Sequence, residues 1–176
     1  ADMAPDAGRI ALRQSASTST DDEIALSDID PTAWRRQISW VPQSPTLVPG
    51  TVLDNMGDLP LDALTAAAQA TGFDTVVATT PEGWNSVIGS GGVGLSVGQR
   101  QRLALTRALA AHSQIVILDE PTAHLDAVSE ETVVRAINAM RDAGRTVIVI
   151  AHRAAMMEAA DVVIDVRSAA DEEARA

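Results

Sequence analysis

The chain has 176 residues, 46% of them hydrophobic, which is long enough to bury one core and short enough that a single domain is expected. Its 24 acidic residues outweigh 13 basic ones to give a formal net charge of -11, which would repel a phosphodiester backbone and argues against nucleic acid as a partner. With no cysteine it can build neither a disulfide framework nor a thiolate metal site, and its longest apolar run, residues 147–151, falls far short of the roughly 18–20 residues of a membrane-spanning helix.

Taken in chain order, residues 1–12 hold a short apolar patch at Ile10, Ala11 and Leu12, and 14–22 (QSASTSTDD) is a polar, aperiodic loop. Residues 38–41 form a β-favouring run closed by Pro42. Further prolines at 45 and 49 delay regular structure until about residue 50, so Gln43 is expected in a loop leaving a strand end. From 51 to 72 the chain is rich in alanine and leucine, with Leu61, Leu64, Ala67 and Ala68 at helical spacing and Gly72 as the stop, which predicts a helical segment. A glycine-rich loop over 83–94 leads into 95–111, where Ser96 suits an N-cap and Leu105, Ala108 and Leu109 make an apolar stripe.

Residues 115–118 (IVIL) read as a strand covered on both faces, ending in Asp119, Glu120 and Pro121. Asp126 can cap a helix running to about Asp142, with Gly144 as its stop. Residues 146–151 form a mostly β-branched strand before His152, 162–166 offer a last short strand, and 168–176 read as a frayed tail. Strand and helix in alternation predict an α/β fold with a parallel sheet.

The chemistry gathers at strand ends. Asp119 and Glu120 leave an apolar strand at the edge where open α/β sheets bind ligands, and adjacent carboxylates there call for a cation or a polarised water. Mg²⁺ with a nucleotide phosphate meets that need; a lone Asp-Glu pair could also be two surface acids. In residues 94–99 (GLSVGQ), a helix start with unpaired N–H groups makes an anion cradle, and Gly98 allows close backbone approach. His152 follows a second apolar strand, where it could meet Glu120 or merely close its strand. His112 and His124 have no partner at ligand spacing and are expected to be structural or solvent-facing. Gly89, Gly91 and Gly94 spell the dinucleotide fingerprint, but only two apolar residues precede them and no acid follows at the right distance. Gln43 in WVPQSP says almost nothing alone.

Together and in this order, Gln43, LSVGQ at 95–99, ILDEPTAHLD at 117–126 and His152 resemble the ATPase domains of ABC transporters along nearly the whole chain. The resemblance implies ATP and Mg²⁺ as cofactors, an incomplete P-loop NTPase core with a parallel sheet (residues 1–49 and 112–167) and a helical subdomain (50–111). It makes Gln43 the Q-loop glutamine that contacts Mg²⁺, and Leu95, Ser96, Val97, Gly98 and Gln99 the signature motif that closes on a partner's ATP. Asp119 becomes the Walker B carboxylate on Mg²⁺, Glu120 the general base, Asp126 the D-loop acid and His152 the switch histidine. The implied partners are a fused transmembrane domain and a second ATP-binding domain, at the cytoplasmic face of the plasma membrane.

Two features depart from the family pattern. Val97 stands where LSGGQ has glycine, and no G-x-x-x-x-G-K-[ST] loop occurs, nor any lysine at all. The expectation is therefore a piece that begins after the phosphate loop, lacks a central strand and a helix of its sheet, hydrolyses no ATP alone and is self-associating or poorly stable because apolar surface is left uncovered. WRRQISWVPQ, PGTVLDNM, the LSVGQ variant and DEPTAHLD look like exporters with fused membrane helices, and most like the Cyd-type heterodimeric exporter of cytochrome bd assembly. A non-transport ABC ATPase, or a half that only lends its signature motif to another subunit's ATP, are the competing functions.

Overall fold

A computed structural model describes residues 8–13, 23–92, 94–123, 125 and 127–166. An antiparallel pair, β1 (Ala11–Arg13) and β2 (Glu23–Ala25), comes first, with Arg9 held 2.7 Å from Glu23. Helix α1 (Pro31–Arg36) follows, its N-cap Asp30 accepting from the amide of Ala33 and its proline sitting where a missing N–H costs nothing. Then come β3 (Ile38–Val41), β4 (Gly50–Thr51), α2 (Leu61–Thr71), α3 (Phe73–Thr79), β5 (Val87–Ile88), α4 (Val97–Ala110), β6 (Ile115–Asp119), α5 (Ala127–Asp142), β7 (Thr146–Ile150) and α6 (Ala154–Glu158).

The central sheet is parallel, in the order β3-β6-β7, with Val41 opposite Leu118 and Leu118 opposite Val149. That is the α/β architecture the strand-helix alternation predicts. Burial along β6 alternates, however, with Val116 and Leu118 fully buried and Ile115 and Ile117 only partly so. Helices α4 and α5 cover one face. On the other, the cross-strand row Trp40, Ile117, Ile148 leaves Trp40 61% and Ile148 49% exposed. The expectation that 115–118 is covered on both faces is thus corrected: on the second face Ile115 and Ile117 are only half-buried.

Two cores meet at α4. Leu103 and Ala110 pack into a helical cluster with Leu64, Phe73, Met56 and Ile88, whereas Ala104, Leu105 and Ala108 pack against Val41, Val116, Leu118 and Met140 of the sheet side. Leu109 touches both clusters. The helix is therefore apolar around much of its circumference, as expected of one wedged between two layers.

Several elements differ from the sequence reading; β5, for one, lies inside the loop expected over 83–94. The helix expected over 51–72 starts at Leu61, because Gly57 adopts φ 72° and Pro60 supplies an extended N-cap; residues 50–56 instead form β4 and a single turn. Gly72 does end that helix, in the left-handed conformation a glycine adopts without strain. Residues 162–166 form no strand: among the described residues they find no ladder partner, and Val162, Val163, Ile164 and Val166 lie exposed. The loop at 14–22 and the tail at 168–176 lie outside the described residues.

Candidate active site

Register explains the site. Val41 and Leu118 are paired across parallel strands, so the residues two positions beyond each, Gln43 and Glu120, emerge level with one another at the same sheet edge. Asp119 is opposite Ile150, which brings the loop holding His152 alongside. Gln43 Nε2 donates to Glu120 Oε2 at 2.7 Å, and His152 Nε2 lies within hydrogen-bond distance of Glu120 Oε1, at 3.0 Å. Each carboxylate oxygen therefore has its own side-chain partner.

Glu120 sits at φ 44°, the sole non-glycine residue with positive φ among those described. Its amide extends the ladder by one bond to Ile150 O at 2.9 Å, and its carbonyl accepts from Ala123 N at 2.9 Å in a turn opened by Pro121. Strand alternation already sets Asp119 and Glu120 on opposite faces, with Glu120 on the face of Leu118, and the left-handed step ends the strand at that point. Holding a side-chain-bearing residue there costs about 1–2 kcal/mol. The His152 side chain is 81% exposed and that of Glu120 31%, so their contact in water contributes little stability to offset the cost. Strain of this kind, here at a half-buried, hydrogen-bonded carboxylate, clusters at functional sites in proteins generally. Asp119, half-buried on the face of Ile115 and Ile117, stays outside this hydrogen-bonded set.

Residues 95–99 lie elsewhere. Ser96 caps α4: its Oγ accepts from Gln99 N at 3.2 Å, while Gln99 Oε1 accepts from Ser96 N at 2.8 Å, a reciprocal capping box. Leu95 is buried in the helical core, Val97 is half exposed, and a Cβ built on Gly98 would stand 3.4 Å from Leu125 Cδ2. Ser96, Gly98 and Gln99 face an open cavity of about 480 Å³ shared with Thr75, Thr79, Arg102 and Ser129. No residue of that cavity belongs to the Gln43, Glu120 and His152 set. Asp126 and His124 lie outside the described residues, and His112 is exposed beside Ala63 and Leu109.

The glycine run at 89–94 follows β5, an antiparallel partner of β4 and not a strand of the parallel sheet, so the dinucleotide fingerprint lacks its context. Arg153 escaped the sequence reading, although its position beside His152 was the available signal. Its Nη1 donates to Glu130 Oε2 at 2.6 Å and reaches Leu125 O at 3.4 Å, tying the histidine loop to the start of α5. Among the described residues no three His, Cys, Asp or Glu side chains gather as a metal cage, so a cation here would need phosphate and water for most of its ligands.

The ABC transporter family matches over residues 1–123, which carry Gln43, the signature segment and both strand-end acids. The chain belongs to the ABC transporter family. Its relatives include the type I secretion system ATP-binding protein PrsD of Rhizobium meliloti, 38% identical over 147 residues, covering 81% of this chain and 25% of that protein. The alpha-hemolysin translocation ATP-binding protein HlyB of Proteus vulgaris is 38% identical over 146 residues, covering 81% of this chain and 20% of the relative. A bacterial Atm1-family ABC exporter solved with ATP bound superposes with a TM-score of 0.68 at 29% identity, over 78% of this chain and 24% of that one. The chain thus spans a quarter or less of each of these ABC proteins. No described helix is long and apolar enough to cross a membrane.

Proposed function

We propose that this chain is the greater part of the nucleotide-binding domain of an ABC exporter, converting ATP binding and hydrolysis into transport through membrane-spanning helices carried elsewhere in the same polypeptide. The observation that carries the reading is the convergence of Gln43 and His152 on the two oxygens of Glu120.

Glu120 is the general base. Its carboxylate, oriented from both sides, takes the proton of the water that attacks the γ-phosphate; a positioned base contributes roughly 10²–10⁴-fold to such a rate. Gln43 and His152 hold that carboxylate in place, and His152, open to solvent, is free to reach the phosphate oxygens as well. The donor set fits Mg²⁺, which favours a few hard oxygen ligands supplemented by water and phosphate: Asp119 and Gln43 would hold the ion. Mg²⁺ bound there supplies neutralisation of the phosphate charge. The Ser96, Gly98 and Gln99 backbone, facing a cavity that shares no residue with the Gln43, Glu120 and His152 set, serves the nucleotide of a second ATP-binding domain, homologous or identical, and Asp126 has the part of the D-loop acid toward that domain.

The sequence contains no lysine, so the grip on the β- and γ-phosphates that a phosphate-loop lysine provides has to come from outside these 176 residues. The chain by itself therefore turns over no ATP. Attached to its membrane part, it works at the cytoplasmic face of the plasma membrane. The finer likeness to the Cyd-type exporter of cytochrome bd assembly rests on WRRQISWVPQ, PGTVLDNM, the LSVGQ variant and DEPTAHLD, whereas the relatives named above are secretion and Atm1-family proteins.

The test is ATP turnover by the polypeptide that carries this chain, compared with its Glu120→Gln variant. A loss of at least about 100-fold with ATP binding retained supports Glu120 as base; unchanged turnover removes it.

A further inference from the structure

The strap that carries Gln43 is fastened at its far end by one side chain. Between β3 and α2, Pro45 and Leu47 are buried, and beyond them the backbone turns around Asn55, which is 5% exposed. Asn55 Oδ1 accepts from Val48 N at 2.9 Å, while Nδ2 donates to Val48 O at 3.0 Å and Thr51 O at 2.9 Å. The carboxamide thus binds backbone on both sides of the turn, and an apolar replacement would strand three main-chain groups without their partners. Asn55 is itself held by α4: Arg107 Nη1 donates to its carbonyl at 3.3 Å. Ser96 caps one end of that helix and Arg107 stands in its last turn. A helix of 14 residues is a stiff rod of about 21 Å. One rigid element therefore holds the signature segment at its start and the Gln43 strap near its finish.

We propose that Asn55 and Arg107 are positioning residues that fasten the Gln43 strap to α4 and thereby hold Gln43 on Glu120. The inference rests on the reading of Glu120 as the base, and goes beyond it by naming the two residues through which α4 acts on that carboxylate. They touch no substrate; their effect passes through Gln43.

The test uses the whole polypeptide carrying this chain, with Asn55→Ala, Arg107→Ala, Arg107→Lys and Gln43→Ala, and Asn55→Ala combined with Gln43→Ala. Asn55→Ala and Arg107→Ala should lower kcat about tenfold with KM for ATP within about twofold, because a misplaced orienting group costs rate more than binding. Arg107→Lys, which keeps a charged donor, should recover most of that loss. Adding Asn55→Ala to Gln43→Ala should cost nothing further, a non-additivity that a merely structural role would not produce. Deuterium uptake across residues 42–49 should rise in Asn55→Ala and Arg107→Ala and stay unchanged in Glu120→Gln.

Losses that multiply in the double variant, or unaltered uptake across 42–49, would overturn the proposal. If the unsubstituted protein shows no ATP turnover, the proposed function fails, while the deuterium measurement still decides the clamp. If Asn55→Ala does not fold, the Arg107 pair carries the same test from the helix side.

Discussion

Gln43 and Glu120 stand 77 positions apart in the chain and are joined by a 2.7 Å hydrogen bond, because each lies two residues beyond a paired position of neighbouring parallel strands. The bond is a product of register. A one-residue slip of β3 against β6 would turn Gln43's strand face about and take the amide away from the carboxylate.

Removing either partner of Glu120 separates orientation from base strength. Gln43→Ala leaves His152 in place and should lower ATP turnover about tenfold; His152→Ala, which loses an orienting group that is also exposed to the phosphate, should cost about 100-fold or more. Steady-state ATPase of the polypeptide carrying the chain measures both, and a His152→Ala variant as active as Gln43→Ala would contradict the second role.

Ser96 has a structural task apart from any ligand. Its hydroxyl and the Gln99 amide cap α4 reciprocally, and α4 is the helix shared by both cores. Ser96→Ala should destabilise the fold by about 1 kcal/mol, lowering Tm by roughly 2–4 °C for a domain of this size. Gln99→Ala on top of it should add little, since the two side chains form one capping unit; thermal melts of the single and double variants check this.

The sheet predicts opposite responses on its two faces. Leu118 is fully buried against α4 and α5, so Leu118→Ala should cost about 2–5 kcal/mol in chemical denaturation. Trp40 and Ile148, one row over on the uncovered face, should tolerate polar replacement within about 0.5 kcal/mol in the isolated chain.

That same face, with Trp40, Ile148 and Ile150 each about half exposed or more, should drive the isolated chain to self-associate. Analytical ultracentrifugation of the chain alone should show oligomers that Ile148→Thr with Ile150→Thr reduces; a monodisperse monomer at all concentrations would contradict the expectation.

The sheet was legible because its strands announce themselves locally: 38–41, 115–118 and 146–150 are short apolar or β-branched runs closed by proline, acid or histidine. The Ser96 cap was legible for the same reason, since a capping box is written within four residues. What lay beyond reach depended on distant partners. The two-residue ladder of β4 with β5 sets Gly50 opposite Ile88; Thr51 read as helix because alanine and leucine follow closely, and Val87 and Ile88 read as part of a glycine-rich loop. Residues 162–166 have strand composition and, among the described residues, no strand to pair with. The left-handed step at Glu120 leaves no trace in residue type, because glutamate is not a residue that ordinarily adopts it.

The most direct test of the account is a crystal structure of the Glu120→Gln form of the polypeptide carrying this chain, with ATP and Mg²⁺. The account predicts the γ-phosphate beside His152 and the substituted side chain, with Asp119 and Gln43 directed at the ion and residues 96–99 on the nucleotide of the second domain. A γ-phosphate bound away from the carboxyl ends of β6 and β7 would contradict it.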